Sequence, residues 1–150
     1  MKIFVTGGSG FIGSNFVLSQ CNSTKNDILN FDKLTYAGNP ANLLSLEMSS
    51  NYQFVQGDIC DYEAVNNAIH DFSPDSIVHF AAESHVDRSI EGPMDFINTN
   101  ILGTVILLEV ASKYFKLNND PSFRFLHIST DEVFGSLDDH GFFNEESPYS

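Results

Sequence analysis

Four glycines stand within the first thirteen residues, in the run TGGSGFIG (residues 6–13), directly after the apolar stretch KIFV. A short apolar run that ends at glycine reads as a buried strand. The segment FIGSNFVLSQCN that follows has helical spacing, with Phe11, Ile12, Phe16 and Val17 sharing a face. Gly7, Gly10 and Gly13 are spaced three apart, and Gly8, Gly10 and Gly13 fit G-x-G-x-x-G. Between a strand and a helix, that pattern makes a tight turn, lets a pyrophosphate approach the backbone and lets the helix pack close to the strand. The unpaired amides of the helix's first turn, near Phe11 and Ile12, are then donors for phosphate.

The remaining chain repeats the alternation. DILNFD, YQFVQGD, DSIVHFA and SFRFLHIS read as further strands. Between them come a loop KLTYAGNP with a short helix ANLLSLEM, and a helix DYEAVNNAIHDF capped by Asp61 with Val65, Ala68 and Ile69 inward. Residues 93–115 read as one long helix, apolar on nearly every side. Alternating strands and helices predict an α/β fold: a doubly wound, Rossmann-type parallel sheet in the order 3-2-1-4-5. Such a domain ordinarily adds a sixth strand. After the fifth the chain turns irregular and acidic, so residues 1–150 read as one nucleotide-binding domain incomplete at its C-terminus.

A formal net charge of -13 argues against nucleic acid or an anionic membrane as partner, since both need clustered cations. Two cysteines, Cys21 and Cys60, are too few for a disulfide framework, and no Cys/His spacing suggests a metal. No secretory leader and no apolar run long enough to span a bilayer stands out, which points to a soluble, cytoplasmic protein.

The polar residues worth attention fall where strands end. Asp32 closes the second strand, nineteen residues after Gly13. An acid there accepts a ribose 2′-hydroxyl and repels a 2′-phosphate, which favours NAD over NADP. Lys33 beside it pulls the other way. Asp58, after the third strand, suits an adenine amino group or a helix cap. After the fourth strand, FAAESHVDRSIEGP brings Ser84, His85, Asp87 and Arg88 to the same edge. Arg88 suits a substrate phosphate or a salt bridge to Asp87 or Glu91; His79, inside the strand, suits a hydrogen-bonded core position. After the fifth strand stand Ser129, Thr130, Asp131 and Glu132. Two adjacent acids at a ligand crevice can supply a general acid and a general base together, which elimination of water requires.

TGGSGFIGS, DKLTYAGN, GDI, AAESHVDRSI and STDEVFG together resemble the dTDP-glucose 4,6-dehydratase family, within the extended short-chain dehydrogenases/reductases, over essentially the whole chain. The resemblance implies bound NAD and a nucleotide-sugar substrate, dTDP-glucose. It implies a reaction of C4 oxidation, loss of water across C5–C6 and hydride return to C6, giving the 4-keto-6-deoxy sugar. It implies cofactor contacts at Gly7, Gly10, Phe11, Ile12 and Gly13, at Asp32, Lys33, Leu34 and Thr35, at Asp58 and Ile59, at Phe80, Ala81, Ala82, Glu83 and Ser84, and at Thr99. Glu132 matches the base at C5, Asp131 the acid at C6, and Thr130 a hydrogen bond near O4; Ser84 and His85 match substrate positions. A homodimer built on the long helix is also implied. One departure is plain: no tyrosine in residues 1–150 is followed four positions later by lysine, so the family's Tyr-x-x-x-Lys pair is missing. Tyr149 does not match it. Residues 1–150 alone are therefore expected to be inactive. The alternatives are a UDP-sugar dehydratase, an epimerase or decarboxylase of the same superfamily, or a non-catalytic dinucleotide-binding module.

Overall fold

The computed structural model describes residues 1–24, 26–137 and 141–150. Five parallel strands form one sheet: β1 Lys2–Thr6, β2 Asp27–Asp32, β3 Tyr52–Gln56, β4 Ser76–His79 and β5 Arg124–His127. Their order is β3-β2-β1-β4-β5, as the alternation predicts. The chain runs one way from β1 to β3 and the other way through β4 and β5, so the winding reverses between β1 and β4. The registers Thr6↔Phe31 and Thr6↔His79 bring the ends of β2, β1 and β4 level.

Strand pleating sorts the core into two layers. Phe4, Leu29, Phe31 and Ile77 face α2 (Tyr62–Phe72) and α5 (Thr104–Asn118), meeting Val65, Ile69, Leu107 and Val110. Ile3, Val5, Ile28 and Val78 face Val17 of α1 (Phe11–Ser19) and Leu43 and Leu46 of a 3-10 turn, Pro40–Leu46. Asp61 caps α2 as expected, its carboxylate accepting the Ala64 N–H at 3.1 Å.

Two helices hold more than their residue spacing shows. In α1 the side chains of Phe11 and Ile12 are 84% and 64% exposed, and the helix packs through Gly13, Ser14 and Val17. Its first turn projects past the sheet's carboxyl edge, where there is no core to face, and close approach to β1 selects small residues. The long helix also differs. Pro93–Phe96 (α4) passes into a wide π-helical stretch, Ile97–Gly103, and then α5, so the helical path runs on to Asn118. Asn119 ends it in the left-handed region, its N–H bonded to Phe115 O at 2.8 Å. A short helix, α3 (Val86–Glu91), precedes it. By length and composition, the 26 residues Pro93–Asn118, with a mean hydropathy of 1.3 over their most apolar 18, are enough to cross a membrane. Counting uninterrupted apolar residues missed this, because Asn98, Thr99 and Asn100 divide two apolar runs that one helix joins. Leu107, Val110, Ala111 and Tyr114 bury its inner face, while Ile97, Ile101, Val105 and Leu108 lie exposed on it.

Candidate functional site

An open cleft lies at the carboxyl edge of the sheet, where the winding reverses. The glycine turn is its floor. Gly7 has φ +69°, and a β-carbon there would lie 2.6 Å from Ala81 N. A β-carbon on Gly13 would run into the Gly7 carbonyl. Glycine is required at both positions by the backbones that meet there. No side chain caps the N-terminus of α1, so its first-turn amides remain available as donors.

Ser9 holds the turn in place. Its N–H donates to Asp32 Oδ2 at 2.9 Å, its Oγ accepts from Asn30 Nδ2 at 3.0 Å, and its carbonyl accepts from Asn39 N at 2.9 Å and Asn42 Nδ2 at 3.2 Å. Asp32 is thereby fixed, with Oδ1 accepting the Leu34 N–H at 2.8 Å. That second bond accompanies a left-handed backbone at Leu34, φ 58°. Next to it Lys33 Nζ pairs with Asp58 Oδ2 at 2.7 Å, and Asp58 Oδ1 accepts the Cys60 N–H at 2.9 Å. Partial burial opposes ionisation of Asp58, but the ammonium and the N–H outweigh it and hold the carboxyl below its usual range. Asp58 is not a helix cap, because Asp61 takes that place.

On the opposite wall the backbone of Glu83 is clamped at both ends by Asn100, which accepts its N–H and donates to its carbonyl, each at 2.8 Å. Behind this wall sits His79, 1% exposed. The Ala81 N–H donates to Thr6 Oγ1 at 3.3 Å, and the same hydroxyl shares a hydrogen bond of 2.6 Å with His79 Nδ1. His79 Nε2 shares a second hydrogen bond, of 3.0 Å, with Thr104 Oγ1, so both ring nitrogens are satisfied by hydroxyls. Burial, and then the His127 ring 5.0 Å away, push the His79 pKa down to about 4. The Arg88 guanidinium lies 3.6 Å over the Tyr36 ring. The Glu91 side chain lies outside the described residues. Tyr36 belongs to the loop after β2, so this contact ties the two walls together.

Of the residues singled out from sequence, Gly7, Gly10, Asp32, Lys33, Thr35, Asp58, Ile59, Phe80, Ala81, Ala82, Glu83 and Thr99 line the cleft. Phe11, Ile12, Gly13, Leu34 and Ser84 do not form its walls. Gly13 packs behind the turn, and Leu34 acts through its N–H. Ser84 and His85 are exposed just beyond Glu83. Phe31, Ala37, Gly38 and Gly57 also line it and were missed. A signal for the glycines was present in YAGN and QGD: at Gly57 a β-carbon would strike the Phe31 ring, and at Gly38 it would sit 3.0 Å from Asp32 Oδ1.

Asp131 and Glu132 stand outside these walls, one strand along the same edge. The His79↔His127 register and the Ile128 N–H to His79 O bond of 3.0 Å bring the end of β5 level with that of β4. Thr130 caps a short 3-10 turn, Asp131–Phe134, accepting the Glu132 N–H at 3.4 Å while its hydroxyl donates to Asp131 Oδ1 at 3.3 Å. Both acids are exposed. Tyr149 stacks on Phe134 at 5.5 Å. Among the described residues no group of three His, Cys, Asp or Glu is placed to hold a metal ion.

The reversed winding, the glycine turn and an acid locked at the end of β2 define the class: a Rossmann-type α/β protein whose cleft lies at the topological switch point. Within that class the chain belongs to the GDP-mannose 4,6 dehydratase family, whose model matches residues 4–150. It is 53% identical to a probable dTDP-glucose 4,6-dehydratase of Sinorhizobium fredii, over 99% of this chain and 43% of that protein. It superposes with a TM-score of 0.88 and 42% identity on the dTDP-glucose 4,6-dehydratase DesIV of Streptomyces venezuelae, solved with NAD and TYD bound, covering all of this chain and 45% of that one. A Thermus thermophilus UDP-glucose 4-epimerase solved with NAD matches at 0.83 and 28% identity, over 44% of its length. The chain thus spans less than half the length of these relatives.

Proposed function

We propose that this chain is the NAD-binding part of a nucleotide-sugar 4,6-dehydratase acting on dTDP-glucose. The observation that carries the reading is the alignment on one sheet edge of the glycine turn, the locked Asp32 and the Asp131–Glu132 pair. An epimerase has no need of an adjacent acid pair, and the identity to the dehydratase DesIV, 42%, exceeds the 28% to the epimerase. The cleft fits a dinucleotide: Gly7 and Gly13 leave backbone open where a β-carbon would collide, and the uncapped first turn of α1 offers N–H donors. Gly7, Gly10, Gly13 and the amides of Phe11 and Ile12 hold the pyrophosphate. Asp32, with Lys33, Leu34 and Thr35, holds the adenosine ribose, and Asp58 and Ile59 flank the adenine. Phe80, Ala81, Ala82, Glu83, Ser84 and Thr99 form the nicotinamide side. Bound NAD supplies a hydride acceptor at C4 and a donor at C6.

The chain's own acids do the rest. The Glu132 carboxylate removes the C5 proton, and the Asp131 carboxylic acid protonates the departing C6 hydroxyl. Thr130 bonds the sugar near O4, and Ser84 and His85 meet the substrate. The exposed apolar face of Pro93–Asn118 meets a second copy rather than a bilayer, since the same helix holds the Glu83 backbone through Asn100 and His79 through Thr104. Free thiols at Cys21 and Cys60 suit the cytoplasm. The test is incubation of the full-length protein with dTDP-glucose. Formation of dTDP-4-keto-6-deoxyglucose is expected; a C4-epimerised sugar with its C6 hydroxyl intact would refute the dehydratase reading.

A further inference from the structure

Two opposite charges stand side by side at the end of β2. Asp32 repels a phosphate at the ribose 2′ position, and Lys33, on a long flexible stem, is the kind of group that would attract one. The structure shows what restrains the lysine. Pairing of β2 with β3 in the register Asp32↔Gln56, continued by the Gly57 N–H to Asp32 O bond of 3.1 Å, carries Asp58 alongside Lys33. Asp58 is aimed by backbone: its Oδ1 takes the Cys60 N–H, which leaves Oδ2 for the ammonium at 2.7 Å. Asp32 is held away from the lysine, with each of its oxygens already accepting a backbone N–H. The pair's side chains are 56% and 32% exposed, and a pair that open adds little to stability. Yet both residues line the cleft. The geometry gives the pair a use at the ligand rather than in the fold.

We propose that Asp58 is a specificity-determining residue that withholds Lys33 from the ribose 2′ position, so that preference for NAD over NADP depends on the Lys33–Asp58 pair as well as on Asp32. The inference rests on the reading of the cleft as a dinucleotide site. With Asp58 ionised, the three side chains carry one net negative charge and no free cation. With Asp58 replaced by asparagine, the local charge falls to zero and Lys33 is released to meet a 2′-phosphate. Asparagine keeps the size and the acceptor for Cys60 N–H, so the turn is retained.

The test is isothermal titration of NAD and NADP into the full-length protein stripped of bound dinucleotide, at fixed ionic strength. Asp58→Asn should raise the NADP-to-NAD affinity ratio by about tenfold, the effect of one charge-assisted hydrogen bond. Lys33→Met should leave the ratio no higher in the wild-type background and should cancel the gain in the Asp58→Asn background. If Asp58 serves only an adenine contact, both affinities fall together and the ratio stays put, which overturns the proposal. A Lys33→Met effect of equal size in both backgrounds overturns it as well. Failure of the unmutated protein to bind either dinucleotide would remove the cleft reading itself, an outcome distinct from an unchanged ratio.

Discussion

Gly13→Ala sets two effects of known size against each other. Gly13 lies inside α1, where alanine is favoured over glycine by at most about 1 kcal/mol. Against that stands the collision. The new β-carbon would meet the Gly7 carbonyl group and lie 2.9 Å from Gly8 Cα. These are backbone atoms of a turn held by Ser9 on several sides, so no side chain can swing aside. Overpacking of this kind costs about 1–3 kcal/mol. The steric effect should win, with a net loss of up to about 2 kcal/mol and a drop in Tm of up to about 8 °C for a domain of this size. Relief comes only by moving α1 away from the turn, so dinucleotide affinity should fall as well. Gly10→Ala is the control: its β-carbon would sit 3.3 Å from Gly7 O with φ at -74°, and a smaller loss is expected. Urea unfolding and dinucleotide titration read both effects. A Gly13→Ala protein as stable as its parent would show that helix propensity decides here and that the close approach is not rigid.

His79 should make stability depend on pH. Its folded pKa of about 4 lies below the ordinary 6.5, so the unfolded chain takes up the proton first. The contribution is complete above pH 6.5 and is lost as pH falls toward 4, by about 3 kcal/mol at most; His79→Gln should flatten urea-derived stability across that window, and an unchanged slope would count against the buried neutral ring. Asp32→Ala should weaken NAD binding while leaving NADP binding equal or better, by titration; a parallel loss of both would count against its ribose role. Sedimentation of the full-length protein should show a dimer at micromolar concentration, and a clean monomer would leave the apolar face of Pro93–Asn118 unexplained.

The strands and their order were legible because each is a short apolar run closed by glycine or a polar residue, and because parallel pairing leaves few windings to choose from. Asp61 and the inward face of α2 were legible for the same local reasons. The face of α1 was not: Phe11 and Ile12 have the right spacing for a core, but which end of a helix overhangs the sheet depends on how closely the strand turn packs beneath it. Asp32 could be placed by counting from Gly13. Its bonds to Ser9 and Leu34 could not, nor could the Lys33–Asp58 and Asn100–Glu83 pairings, since each joins segments brought together only by the sheet. The run TDE located the two acids at a strand end, but their place one strand beyond the glycine cleft is a property of the β4–β5 register.

Glu132 is proposed as the base of an elimination carried out beside this cleft. The most direct measurement supplies dTDP-glucose to the full-length protein and to its Glu132→Gln variant in deuterated water, with mass spectrometry and NMR of the sugar. The parent should form the 4-keto-6-deoxy sugar with deuterium at C5, because the proton lost there is replaced from solvent. Glu132→Gln should bind NAD as well as the parent does, yet form no such product and incorporate no deuterium at C5. Near-parental turnover and labelling by Glu132→Gln would contradict the account.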